Sequence, residues 1–286
     1  LESRSSVINT TRIGQAEFRW GERTYIMGIC NLSPDSFSGD GLGSDIEATL
    51  AQARRMVQEG ADIIDVGGES TRPGTKPQII DDIDEELRLV IPAIERLAAE
   101  ITVPISIDTY KYGVASRALE AGASMLNDIW ALQRAPRLAR LAAEHNVPLI
   151  LMSNQREAPA ADIMPAIIAD LKRAIQQATK AGVPAHNIIV DPGIGFGKSL
   201  EQNLEIIRRL GELRTLGKPI LLGSSRKSMI GLVLDLPADQ RLEGTAATLA
   251  IGIANGADII RVHDVKQMAR VCRMSDAIIR RRTSRD

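Results

Sequence analysis

Gly60-Ala61-Asp62-Ile63-Ile64-Asp65-Val66-Gly67 reads as a glycine that ends one helix and a β-branched run that opens a strand. Its first five residues recur verbatim as Gly256-Ala257-Asp258-Ile259-Ile260, and Gly122-Ala123-Ser124 is a weaker echo. A glycine closing a helix in the left-handed conformation is ordinary C-cap chemistry, so the repeated junction is a helix-to-strand joint. Working outward from it, short β-branched runs alternate with longer stretches at helical spacing from about residue 25 onward. The candidate strands are Tyr25–Asn31, Asp62–Gly67, Pro104–Asp108, Ser124–Ile129, Pro148–Met152, Asn187–Asp191, Pro219–Gly223 and Asp258–His263. Segments such as Ala48–Glu59 and Glu85–Ala99 supply the helices between them. The strand runs are almost unbroken in Ile, Val and Leu, as strands covered on both faces should be. Prolines 104, 148 and 219 stand at the first strand position, where no ladder donor is lost.

Eight strands, each followed by a helix, is the count for a closed parallel (β/α)8 TIM barrel of the α/β class. A doubly wound open sheet is the rival; it usually has fewer strands and a glycine fingerprint after the first, and neither is evident. Residues 7–24, with Thr, Arg and aromatic residues around Gly14 and Gly21, read as a short N-terminal hairpin closing the barrel bottom. The 286 residues form one domain on this reading, since no low-complexity linker divides them. Because the chain starts at Leu1, residues 1–5 are expected to be an expression remnant.

Composition narrows the function classes. A net charge of −1, from 35 basic and 36 acidic residues, gives no reason to expect nucleic acid or a membrane surface as partner. Any anion must therefore be held by a local cluster of donors. Two cysteines, Cys30 and Cys272, make no disulfide framework and suit a reducing cytoplasm. Cys30 lies in an apolar run and reads as a small core residue, not a nucleophile. No apolar stretch is long enough to span a bilayer, and the first twenty residues lack a secretory core.

A barrel builds its site where strands end, and here the strand ends turn polar. Asn31 leads into Leu32-Ser33-Pro34-Asp35-Ser36-Phe37-Ser38, and Gly67 into Gly68-Glu69-Ser70-Thr71-Arg72-Pro73-Gly74. The later mouths carry Asp108, Asn127-Asp128, Asp191-Pro192-Gly193, Ser224-Ser225-Arg226-Lys227-Ser228 and Arg261-Val262-His263-Asp264. Singly, Asp108, Asn127 and Asp128 could each be a helix cap. Arg226 and Lys227 sit beside a helix N-terminus, where cations are disfavoured unless an anionic or electron-rich ligand is there. Arg261, flanked by Ile260 and Val262, requires a salt bridge or a bound anion. His145 and His186 fall in turns at the opposite face and should be surface residues; only His263 sits at the mouth. Gly193-Ile194-Gly195-Phe196-Gly197-Lys198 has the look of a phosphate loop but fits neither standard spacing. No HExxH, Cys/His cluster or GxSxG exists to suggest a protein-held zinc or an acyl-serine. The residues themselves point to a small, nitrogen-rich, anionic ligand.

The motifs resemble those of the dihydropteroate synthases. Ile26–Ser38 is similar to the family's first signature and Asp65–Gly74 to its second. Ser106–Thr109, Asn127-Asp128, Asp191–Lys198, Ser225–Ser228 and Arg261–Asp264 follow in the family's order, over about residues 25–280. The resemblance implies condensation of 6-hydroxymethyl-7,8-dihydropterin pyrophosphate with p-aminobenzoate, giving 7,8-dihydropteroate and pyrophosphate in folate synthesis. It implies that Asp108, Asn127, Asp191 and Lys227 hold the pterin, and that Thr71, Pro73, Phe37, Phe196 and Ser228 shape the p-aminobenzoate pocket. It further implies that Asn31, Arg72, Arg261 and His263 take the pyrophosphate, that Asn31 places Mg2+, and that Asp35 and Arg72 order the loops. Asp108, Lys227, Arg72 and Asp35 are on this basis the expected catalytic set. A homodimer through Ala246–Ala254 and Val265–Ile279 is implied as well.

Two departures stand out: Leu151-Met152-Ser153-Asn154 replaces a common Leu-Met-His, and Ser38-Gly39-Asp40-Gly41 replaces Ser-Asp-Gly-Gly. They bear on loop behaviour and on the response to sulfonamides, which mimic p-aminobenzoate. Two other readings compete. A methyltetrahydrofolate:corrinoid methyltransferase shares a pterin site but has no need of Thr71-Arg72-Pro73 or Ser225-Arg226-Lys227. A catalytically silent pterin-binding paralogue should have lost loop residues, whereas Asp35, Arg72, Lys227 and His263 remain.

Overall fold

The computed structural model describes residues 10–32, 45–68, 83–157 and 160–280. A hairpin of β1 (Thr10–Ile13) and β2 (Ala16–Arg19) comes first. The barrel strands are β3 (Tyr25–Asn31), β4 (Ile63–Gly67), β5 (Ile105–Asp108), β6 (Met125–Asp128), β7 (Leu149–Met152), β8 (Ile188–Asp191), β9 (Leu221–Leu222) and β10 (Ile259–Val262). All pair in parallel in the order β8-β7-β6-β5-β4-β3-β10-β9. The ring closes where Val190 bridges to Ile220 and the Val190 N–H donates to the Pro219 carbonyl at 3.0 Å. The expected barrel is therefore present, and the open-sheet alternative is excluded.

All eight strands begin and end within two residues of the sequence reading, and proline accounts for three of the later starts. Pro104 and Pro148 have no N–H, so they enter the ladder only as acceptors, their carbonyls taking the N–H of Ile64 and Leu126 at 3.0 Å each. Pro219 acts likewise, and the seventh strand keeps only Leu221 and Leu222 in its ladder.

The repeated Gly-Ala-Asp-Ile-Ile does the same work twice. Gly60 and Gly256 both adopt φ 107°, which closes helices α1 (Ile46–Glu59) and α8 (Leu242–Ala254). The next N–H, of Ala61 or Ala257, reaches back to Met56 or Gly252 at 2.9 Å. Asp62 then accepts the Ile26 N–H at 2.8 Å, and Asp258 accepts the Ile220 N–H at 3.0 Å, each tying its strand to the start of a neighbour.

The remaining helices are α2 (Ile83–Glu100), α3 (Tyr112–Glu120), α4 (Arg137–Glu144), α5 (Ile163–Lys180), α6 (Leu200–Arg208), α7 (Ser228–Leu234) and α9 (Val265–Ile279). Successive strand side chains point to opposite faces, which sorts the core into two layers. Ile26, Cys30, Ile64, Val66, Ile107 and Leu126 pack outward beneath the helices. Cys30 and Cys272 are both buried, as expected of Cys30. Tyr25, Met27, Ile63, Met125, Ile150, Ile189, Leu221 and Ile259 fill the lower barrel, where Ile13 and Phe18 of the hairpin cap them. The hairpin is thus a bottom plug, and the polar upper half is left for chemistry.

One polar residue above this core is structural. Asp128 is buried, and its carboxylate accepts the N–H of Trp130 at 2.9 Å and of Leu132 at 2.7 Å. It thereby holds a turn in which Ala131 and Leu132 have φ of 46° and 64°. Asp128→Ala should lower unfolding free energy by about 2–4 kcal/mol, read by denaturant titration, because two buried donors and a strained turn lose their anchor.

Candidate active site

Alternation along each strand decides which residues enter the barrel. With Met27 and Ile63 inward, so are Asn31 on β3 and Asp65 and Gly67 on β4. Met125 and Ile189 inward put Asn127 and Asp191 inward as well, and Ile259 does the same for Arg261. Asn31, Gly67, Asp108 and Asn127 face one another along the ladder. A Cβ on Gly67 would lie 3.5 Å from the Asp108 Cβ and 3.9 Å from Asn31 Oδ1, so its lack of a side chain keeps the space between them open.

Arg261 organises this layer. Its Nε donates to Asp65 Oδ2 at 2.6 Å and its Nη2 to Asp108 Oδ2 at 2.8 Å. The requirement for a partner is therefore met by a salt bridge to two carboxylates. Burial opposes the guanidinium charge, but Asp65 and Asp108 outweigh it and hold Arg261 protonated. At Asp108 the balance goes the other way. Burial raises its pKa; Arg261 and Lys227 pull it down, while Asp65 and Glu86 push it further up. Asp191 is also raised by burial, though it accepts the Gly193 N–H at 2.7 Å.

Lys227 stands just before α7. Burial, then Arg261, lowers its pKa to about 8, and its ammonium lies 4.4 Å from the centre of the Phe196 ring. Arg226 does not join it. Its φ of 55° turns the side chain to Asp264, with bonds at 2.6 and 3.0 Å, so the expectation of two cations facing a ligand holds for Lys227 alone. His263 is held well below its usual pKa by burial and by Arg226, Arg261 and Lys227. It is a neutral imidazole near pH 7, with Nδ1 3.0 Å from Ser225 Oγ, and serves as a hydrogen-bonding group, not a charge.

The loop after β8 is not an anion cradle built by its lysine. Lys198 Nζ donates to the carbonyls of Ser153 at 3.0 Å, Gly193 at 2.8 Å and Phe196 at 3.1 Å. It staples the loop to the end of β7, and burial lowers its pKa to about 7. Ser153, the departure from the family pattern, uses its backbone here: its N–H donates to Asp191 and its carbonyl receives Lys198. Those contacts do not need a histidine side chain.

Of the residues singled out in the sequence, Asn31, Asp108, Asn127, Asp191, Lys227, Arg261 and His263 converge on the upper barrel. Phe196 is buried beside them, while Ser228 is exposed at the start of α7. Asp35, Phe37, Thr71, Arg72 and Pro73 lie outside the described residues. His145 and His186 are exposed at the far end, as expected. Two features escaped the reading. Asp65 sat within a quoted motif without a role, although a carboxylate in an apolar strand is the same signal that marked Arg261. Tyr110 and Trp130 pack with Ile129, Met152 and Phe196 into an apolar wall. In a chain only 3% aromatic, the position of Trp130 two residues past Asp128 was the available clue.

An (β/α)8 barrel with flat-ring partners and one guanidinium fork at its mouth defines an enzyme for a small anionic heterocycle. The pterin binding enzyme family matches residues 27–263. A dihydropteroate synthase from Clostridium beijerinckii is 51% identical over 271 residues, 94% of this chain and 100% of that protein. The Clostridium difficile dihydropteroate synthase crystallised with pteroic acid superposes with TM-score 0.86 at 50% identity, covering 92% of this chain and 99% of that one. The Xanthomonas albilineans dihydropteroate synthase with 4-aminobenzoic acid gives 0.87 at 37% identity, covering 95% and 98%. The chain belongs to the dihydropteroate synthase family of pterin binding enzymes.

Backbone geometry makes the site's support testable. Gly193 has φ 70°, and a Cβ there would fall 2.1 Å from the Ser153 carbonyl oxygen. Gly193→Ala should lose about 2–4 kcal/mol of stability. Gly217→Ala, at φ 62° with nothing within 4 Å, should lose only about 1 kcal/mol of backbone strain. Parallel urea titrations of the two variants check the difference.

Proposed function

We infer that this barrel condenses 6-hydroxymethyl-7,8-dihydropterin pyrophosphate with p-aminobenzoate to give 7,8-dihydropteroate and pyrophosphate, as a transferase of folate synthesis. The reading is carried by the interior layer of Asp108, Asn127, Asp191, Lys227 and Arg261, on a chain half identical to dihydropteroate synthases. The retained Ser225-Arg226-Lys227 cluster favours it over a corrinoid methyltransferase or a silent paralogue.

Asp108 and Asp191 accept hydrogen bonds from the N–H groups of the pterin, and Asn127, its Nδ2 held by Asp65, offers a further acceptor. Lys227 supplies a donor at the same ring, its charge set against Phe196 and the two carboxylates. The bond between the pterin methylene and the pyrophosphate oxygen breaks, its electron pair leaving with pyrophosphate. Ionised Asp108, held in a water-poor layer, stabilises the positive charge spread over methylene and ring. Arg261 and His263 face the departing oxygens, with Arg72 from the second loop. The neutral amine of p-aminobenzoate, positioned against Phe196 by Ser228, Thr71, Pro73 and Phe37, attacks the methylene and then loses a proton. The loop carrying Asp35 and Phe37 keeps water from capturing the cation.

For Mg2+, the residues fit a shared site. Among the described residues no group of three or more His, Cys, Asp or Glu gathers, yet Asn31 offers a hard carboxamide oxygen at the barrel rim. Mg2+ commonly takes one or two protein oxygens, with substrate phosphates completing its shell. Asn31 would hold it, and when bound it would neutralise charge on the pyrophosphate.

The decisive experiment follows pyrophosphate release from the dihydropterin pyrophosphate with Mg2+ and p-aminobenzoate, with and without sulfamethoxazole. Release should require p-aminobenzoate; release without it, or none at all, would overturn the reading. The kcat/KM for the pterin substrate should be bell-shaped in pH. Its acid limb lies above the ordinary carboxylate range, because burial raises Asp108, which must be ionised to act. Its alkaline limb lies near 8, where Lys227 loses the proton that lets it act.

The chain acts in the cytoplasm on this reading, in keeping with two buried cysteines that form no disulfide among the described residues. It works as a homodimer through α8 and α9. Ile251, Met274 and Ile278 are 50%, 62% and 68% exposed there, and Leu232 and Val233 of α7 are 67% and 55% exposed. Light scattering should give twice the chain mass, and Met274→Glu with Ile278→Glu should halve it.

A further inference from the structure

We propose that Asp65 is a positioning residue of this synthase, setting which atoms Asn127 and Arg261 present to the pterin pyrophosphate. The proposal rests on the function given above and extends it to a residue that touches neither reacting atom.

Asp65 is completely buried on the inward face of β4, between Ile63 below and Gly67 above. Its Oδ2 receives Arg261 Nε at 2.6 Å and Asn127 Nδ2 at 3.2 Å. These donors come from β10 and β6, each two strands away around the barrel in opposite directions. One oxygen thus joins three strands across the barrel interior.

The consequence for Asn127 is directional. A side-chain amide can donate from one end and accept at the other, and its orientation is set by its surroundings. An ionised carboxylate only accepts, so Asp65 fixes Nδ2 toward itself and turns Oδ1 the other way. Asn127 then offers an acceptor to a ring N–H of the ligand. For Arg261 the effect is angular. With Nε on Asp65 and Nη2 on Asp108, the guanidinium plane is fixed, and Nη1 bonds to no described residue. That nitrogen is left for the substrate's anionic end.

Pairing with Arg261 does not by itself account for this arrangement. Asp65 Oδ1 is buried without a hydrogen-bond partner among the described residues, and so is Oγ of Ser106, its register partner on β5. The unpartnered oxygen in a dry interior offsets part of the stability that Asp65 contributes by pairing with Arg261. What Asp65 supplies in addition is orientation and charge. It faces Asp108 together with Glu86 from α2, Lys227 before α7 and Arg261 from β10, and its negative charge raises the Asp108 pKa.

The test is Asp65→Asn, which keeps the shape and can keep both bonds through its oxygen. It loses the charge, and because an amide also donates, it no longer dictates the orientation of Asn127. The variant should still fold, because Asp108 continues to pair with Arg261, but it should melt below the parent. Binding of 6-hydroxymethylpterin, read by its fluorescence, should weaken by roughly tenfold, and KM for the pterin pyrophosphate should rise similarly, since a fixed acceptor is lost. KM for p-aminobenzoate should not change. The acid limb of kcat/KM should move to lower pH, because the removed charge was raising Asp108. Asp65→Ala should show the same split more strongly. A folded Asp65→Asn with parental pterin binding and an unmoved acid limb overturns the proposal. So does an equal loss toward both substrates. If the parent binds pterin but releases no pyrophosphate, the synthase reading fails, and the binding titration alone still decides the role of Asp65.

Discussion

A guanidinium inside a barrel has to be matched by carboxylates, and Arg261 is matched by two, on strands that lie on the same side of it around the ring. Desolvation of such a charge costs several kcal/mol unless pairing is close and hydrogen bonds are satisfied. That constraint fixes much else. It requires Asp65 in a strand whose other inward residues are Ile63 and Gly67, and it requires Asp108 at a strand end where it can also meet a ligand. Asp65 then brings in Asn127, so four strands are tied through one ion cluster. The geometry of the polar layer is therefore set by its charges.

Below that layer the barrel is ordinary hydrophobic packing, closed by Ile13 and Phe18 of the hairpin. Above it the loops are held by backbone chemistry. Asp128 anchors the turn after β6, and Lys198 gathers three carbonyls after β8. Both are charged groups spent on main-chain partners, and both look from sequence like ligand-binding residues. The distinction lies in whether a side chain is already satisfied by its own backbone. Asp128 and Lys198 are; Lys227 is set against a ring face and two distant carboxylates.

The fold was legible because its signals are local. The Gly-Ala-Asp-Ile-Ile repeat encodes a helix stop, a strand start and a side-chain tie to the preceding strand within five residues, and both copies fold alike. The inward polar residues were legible too, since period-two alternation and strand ends locate them without tertiary knowledge. What sequence withheld was partner choice. Nothing near Arg226 in the chain announces Asp264, 38 residues away, and nothing near Arg261 announces Asp65, 196 residues away. Lys198 was hidden for a different reason: its acceptors are carbonyls, which every residue carries. The two-residue ladder of the seventh strand was not legible either, since Pro104 and Pro148 open strands of four residues from the same position.

The ionisable groups of the site share one physical condition. Asp108 and Asp191 are raised, Lys227 and His263 are lowered, and in each the first cause is burial. Internal pairing therefore does not offset desolvation for any of them, although it does for Arg261. A site in that condition favours a ligand with complementary groups: N–H donors for the two carboxylates and anionic oxygens for the lysine and the guanidinium. Binding such a ligand drives Asp108 and Asp191 toward ionisation and Lys227 toward protonation, so substrate binding itself sets the charges that the reaction needs.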